Sequence, residues 1–85
     1  MLYLIQDCSS ELVKIGISNN PQKRLRQLQT GTGNQLKLLQ TYKTENDRHW
    51  EKRIHKMFWQ NRKKGEWFAL NPLNAYLVLL DELLL

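Results

Sequence analysis

Two short apolar runs, separated by a few polar residues, open the chain and decide what it can become. Leu2-Tyr3-Leu4-Ile5 reads as a buried strand, and Leu12-Val13-Lys14-Ile15-Gly16-Ile17, rich in β-branched side chains, reads as another. Asp7-Cys8-Ser9-Ser10 between them is turn-like, so the pair predicts a β-hairpin. Asn20-Pro21 then predicts a helix start, with an amide cap and proline at the first helical position. Leu25 and Leu28 mark its buried side, and Thr30-Gly31-Thr32-Gly33 ends it. Residues 36–42 predict a third strand. A second helix, capped from within residues 44–46, carries Trp50, Ile54, Met57 and Phe58 at helical spacing. Lys63-Lys64-Gly65 is expected to stop it. Residues 66–70 predict a short strand, and Asn71-Pro72 repeats the cap-and-proline start for a last helix over 72–85. The order ββαβαβα implies an α+β fold: a small mixed or antiparallel sheet flanked by helices, forming one domain over residues 1–85.

A chain of 85 residues buries only roughly 60% of its unfolded surface, so the core is thin. The single Cys8 excludes an intramolecular disulfide, and no C-x-x-C pair suggests structural zinc. Packing must therefore supply the stability, and three tryptophans and a leucine-rich end are available for it. The final apolar run, residues 76–85, is too short to span a bilayer and carries Asp81 and Glu82. A cytoplasmic protein without membrane contact is expected. The net charge of +5 is uneven: residues 21–43 hold five cations and no acid, whereas the last 19 residues hold only two acids. A basic middle suits a polyanion, though a solvated surface would have the same composition.

Some residues exceed what the fold needs. Tyr3 and Lys14 lie in strands, Arg24 in a basic helix, and Glu51 and His55 four apart on one helix face. A cation for a phosphate, a carboxylate for a metal and a tyrosine or lysine for proton transfer suit the handling of a phosphodiester. In order along the chain, Leu2-Tyr3-Leu4-Ile5, Val13-Lys14-Ile15-Gly16, residues 21–31, Glu51-x-x-x-His55 and Gly65-Glu66-Trp67-Phe68 resemble the GIY-YIG nuclease superfamily. The closest branch is the one named for a phage T5 open reading frame and a meiotically up-regulated yeast protein. The resemblance covers residues 2 to about 70.

That resemblance implies a fold of the GIY-YIG type and divalent-metal-dependent hydrolysis of DNA, with one Mg²⁺ or Mn²⁺ ion. It assigns Tyr3, Lys14, Arg24 and Glu51 to catalysis, with Glu51 on the metal and Gly16 as the second motif's glycine. His55, by its place on the helix, is expected to support the site or to be a satisfied helix histidine rather than a metal ligand. Met1 stands where the first motif has glycine, Lys14 where the second usually has tyrosine, and Leu28 where many relatives have histidine. Asn71 and Asn74 both compete for the superfamily's late asparagine.

Each residue has an ordinary reading too. Glu51 could pair on the helix surface with Lys52, Arg53 or His55. Arg24 could be as exposed as Arg26, and Tyr3 a core tyrosine with its hydroxyl at the rim. Lys14 could hold phosphate, act as a base, or guard an edge strand against pairing. Gly16 is expected where backbone approaches a ligand or the strand bends. Gly65-Glu66-Trp67-Phe68 is expected to be structural, with Trp67 and Phe68 both closing the core under the second helix, and a second acidic group near the metal is the alternative for Glu66.

Lys23, Arg26 and a basic loop of Arg62, Lys63 and Lys64 are candidates for contact with a DNA or RNA backbone. Leu73, Leu77, Leu80 and Leu84, broadened by Val78, Leu79, Leu83 and Leu85, give the last helix more apolar surface than one small sheet covers. A homodimer through this helix or docking onto another protein would cover it, and a helix wrapped into the core with a frayed tail is the alternative. Two rival functions remain: an inactive or weak nucleic-acid-binding module, and a protein-interaction domain using the leucine-rich helix.

Overall fold

The computed structural model describes residues 1–84, with side chains to Leu83. The contributions of Leu84 and Leu85 to the predicted apolar face fall outside the described residues. Strands β1 (Leu2–Asp7) and β2 (Leu12–Ile17) form the expected hairpin, with Tyr3 opposite Gly16 and Ile5 opposite Lys14. The Asp7 carboxylate accepts from the Ser9, Ser10 and Asn34 nitrogens, which ties the turn to the segment before the third strand. Helix α1 (Pro21–Thr30) follows, and the Asn20 side chain accepts from the Lys23 amide at 3.1 Å. Strand β3 (Leu36–Tyr42) pairs with β1, with one register shift opposite Leu4 and Ile5.

Helix α2 (Asp47–Met57) is shorter than its sequence suggests. It stops at Phe58, and a 3₁₀ turn (Trp59–Asn61) leads into β4 (Arg62–Lys64). The basic stretch expected as a loop is thus an exposed strand. Gly65, at φ 55°, turns the chain into β5 (Trp67–Ala69). The sheet therefore has five strands, one more than predicted, in the order β3-β1-β2-β5-β4. Every pairing is antiparallel. Helix α3 (Pro72–Leu84) begins at the expected Asn71-Pro72 signal.

Alternation along the strands sends side chains to two separate cores. Tyr3, Ile5 and Leu36 face α1, where Leu25, Leu28, Leu38 and Trp67 complete the packing. Leu2, Leu4, Val13, Ile15 and Phe68 face the other way and meet Ile54 of α2 with Ala75 and Leu79 of α3. Trp67 and Phe68, expected side by side in one core, are thereby split between the two. In α3 the apolar excess persists: Leu73 and Leu77 remain exposed.

The Asn46 side chain accepts from the His49 amide at 3.2 Å and closes the first turn of α2. Asn46→Ala should cost about 1 kcal/mol. In a domain of this size that lowers the melting temperature by about 4–8 °C. A circular dichroism melt reads it directly, and an unchanged midpoint would mean that the cap contributes nothing.

Candidate metal and phosphate site

Residues paired across an antiparallel ladder point to the same face, so Tyr3, Ile5, Lys14 and Gly16 all project toward α1. The Tyr3 ring lies directly over Gly16. A Cβ built on Gly16 would sit 2.5 Å from the Tyr3 hydroxyl oxygen and 2.6 Å from Cζ. Gly16 is therefore required by the tyrosine beside it. Tyr3 itself is buried, and only its hydroxyl end approaches polar groups.

One of those groups is Arg24, half-buried on α1, whereas Lys23 and Arg26 on the same helix are exposed. Burial raises the Tyr3 phenol above its ordinary pKa; the adjacent Arg24 guanidinium pulls it back, and Glu66 and Glu51 push it up again. The two arginines that sequence could not tell apart are separated by the fold: Arg24 meets the tyrosine and Arg26 meets solvent.

Lys14 is buried although charged, and at this position β2 is paired on both sides, with β1 and with β5. The edge-guard reading of this lysine fails for that reason. Its ammonium sits 3.1 Å from Glu66 Oε1 and 5.5 Å from the centre of the Trp67 ring. An ion pair and an aromatic face together compensate its lost hydration.

Helix α2 crosses the opposite face of the sheet, yet two of its side chains reach this end of β2. The paired register of β5 along β2 stops at Lys14 opposite Trp67. Beyond it, the Ile15 amide donates to the Glu66 carbonyl at 3.1 Å. The Ile15 carbonyl lies 2.7 Å from His55 Nε2. Since a carbonyl only accepts, Nε2 carries a proton, and in the neutral ring Nδ1 holds the lone pair. Around this gap one donor atom each from Glu51, His55 and Glu66 lie within 4.8 Å of one another. Burial raises the Glu51 carboxyl pKa, and the facing Glu66 raises it further, while His55 and Arg48 pull it down. Two carboxylates and an imidazole at this spacing could bind a divalent metal.

The fold thus brings Tyr3, Lys14, Arg24, Glu51 and His55 around one end of β2, with Gly16 beneath the tyrosine. It adds Glu66, for which the sequence offered a second acidic group near the metal only as the alternative to a structural role. The signal was a glutamate just before an aromatic strand, and only the pairing of β5 with β2 gives that position meaning. Leu28 packs in the core near Ile5, where no polar partner is needed. Asn71 caps α3, accepting from the Leu73 and Asn74 amides, and Asn74 is exposed.

Lys64 and Trp67 line a groove of about 370 Å³ together with Gln27 and Thr32 near the end of α1. Lys63 and Lys64 are exposed on β4; Arg62 is exposed too but donates to the Gly65 carbonyl at 2.5 Å. Among the described residues no helix is long and apolar enough to cross a membrane.

A family model described as the T5orf172 domain matches residues 1–82. No curated protein and no solved structure matches the chain.

Proposed function

Since the chain belongs to the T5orf172 domain family, a nuclease-related group allied to GIY-YIG proteins, we propose that it hydrolyses DNA phosphodiesters with a divalent metal. The observation that carries this reading is the convergence of Tyr3, Lys14, Arg24, Glu51 and Glu66 from five elements or turns on one end of β2. Two cations and two carboxylates side by side are costly for a thin core to assemble without use.

In this reading the Arg24 guanidinium holds two phosphate oxygens with its planar fork. Lys14 supplies a second positive charge from the strand. With its pKa raised, Tyr3 keeps its proton at Oη and donates a hydrogen bond to the phosphate or to the group displaced from it. Glu51, with His55 and Glu66 beside it, would hold the ion. A metal bound there would stabilise charge developing on the phosphate and activate a water. Lys23, Arg26, Lys63 and Lys64 are exposed and would track the DNA backbone.

The test is plasmid nicking by purified protein at low salt, with Mg²⁺, Mn²⁺ or EDTA. Nicking should require metal and fall about 10²-fold in Glu51→Ala, since neighbouring donors leave a weakened seat. Tyr3→Phe should fold normally and lose roughly tenfold, which a tyrosine serving only the core would not. A protein that shifts DNA on a gel equally with and without metal, yet cuts nothing, would be a binding module. The Lys14–Glu66 ion pair is the feature that favours this second reading, because it occupies the lysine. Function that survives Glu51→Ala with Arg24→Ala, but not polar replacement of Leu77 and Leu80, would instead point to a protein-interaction domain with α3 as its interface, whether for a partner or a second copy.

A further inference from the structure

We infer that the metal seat has three protein donors, the carboxylates of Glu51 and Glu66 and Nδ1 of His55, and that it prefers a first-row transition ion to Mg²⁺. This rests on the metal-dependent reading above and goes further in naming the ligands and the class of ion.

Three observations carry it. Glu51 and His55 stand one turn apart on α2, and Glu66 comes from the turn before β5, so the donors reach a common point from two elements. The Ile15 carbonyl holds Nε2 of His55 at 2.7 Å, which fixes both the tautomer and the plane of the ring. A ring so anchored by a backbone acceptor is the usual support of a metal-bound imidazole. Finally, Lys14 engages Oε1 of Glu66 at 3.1 Å, so the remaining carboxylate oxygen is the one available to an ion.

The donor set decides the ion. Mg²⁺ favours oxygen, keeps most of its water and needs few protein ligands. An imidazole nitrogen adds affinity for transition ions and little for Mg²⁺. Bonds of about 2.1 Å place donors at most about 4.2 Å apart, so the present 4.8 Å limit calls for only a small inward movement of side chains.

Mn²⁺ is the probe, used on the whole protein without DNA. Loss of the free-ion EPR signal should report one bound Mn²⁺, and calorimetry should find Mg²⁺ at least tenfold weaker. Pulsed EPR should detect nitrogen coupled to the bound ion. His55→Gln, which can still donate to the Ile15 carbonyl, should abolish that coupling and weaken Mn²⁺ at least tenfold. Glu66→Gln should weaken it similarly while keeping the coupling. Circular dichroism melts confirm that both variants fold. Equal binding of the two ions, no nitrogen coupling, or no binding of Mn²⁺ at millimolar concentration would overturn the inference. Metal-dependent nicking alongside any of these would leave the nuclease reading standing on Glu51 alone. Conversely, three-donor binding of Mn²⁺ without nicking would uphold this seat and sink the nuclease.

Discussion

Gly16→Ala is expected to destabilise the protein by about 3 kcal/mol, although it adds a single methyl group. The added carbon would lie 2.5 Å from the Tyr3 hydroxyl oxygen and 2.6 Å from Cζ, well inside contact distance. The tyrosine has nowhere to go, because its ring is buried with Ile5, Leu36, Leu25 and Trp67 around it. Either the ring leaves the core or β1 and β2 part at this register. At roughly 4–8 °C per kcal/mol, the melting temperature should fall by about 12–24 °C. Adding Tyr3→Leu to the alanine variant removes the clash and should return part of the lost stability, with nicking still about tenfold below wild type for want of the hydroxyl. A midpoint within 2 °C of wild type, or about that, in the single variant would mean that the close approach of ring and glycine is wrong.

The second large effect is kinetic. Arg24→Ala should reduce nicking about 10³-fold, while Arg26→Ala, two residues away on the same helix, should reduce it less than about threefold. Both should melt close to wild type, since neither side chain fills a core. The contrast follows from exposure: Arg24 is half-buried beside the Tyr3 hydroxyl and Arg26 is in water. Arg24→Lys should recover little, because one ammonium cannot span two phosphate oxygens as a guanidinium does. Single-turnover rates on a nicked-plasmid assay separate these outcomes. Equal losses at the two positions would reduce Arg24 to a general contributor of positive charge.

Much of the architecture was legible because it is written locally. The first hairpin shows in two β-branched runs, and the helix starts show in Asn20-Pro21 and Asn71-Pro72, whose side chains make the expected caps. Strand β4 was not legible. Arg62-Lys63-Lys64 has no apolar alternation, and it becomes a strand only because Gly65 turns the chain back and β5 supplies the pairing. The length of α2 was overestimated for a related reason: Phe58 fits the helical stripe, yet it forms the cap and no sequence signal marks the stop.

The candidate site divides in the same way. Tyr3, Lys14 and Arg24 could be listed from motif and spacing, but which faces they share depends on register. Tyr3 opposite Gly16 is a hairpin property and close to readable. The meeting of Glu66 with Lys14 and Glu51 is not, since it requires β5 to lie beside β2 and to end where His55 takes over the Ile15 carbonyl. The Glu66–Lys14 and His55–Ile15 contacts join residues 40 or more positions apart and leave no local trace.

The gap where β5 ends has one more consequence. Because the working groups belong to β1, β2, α1, α2 and the turn before β5, no continuous fragment of the chain contains them all short of residues 3–66. Any chemistry done here therefore cannot survive in a proteolytic piece shorter than that span. Residual turnover after heating or digestion would count unbroken, correctly closed copies, and would serve as a folding assay in its own right.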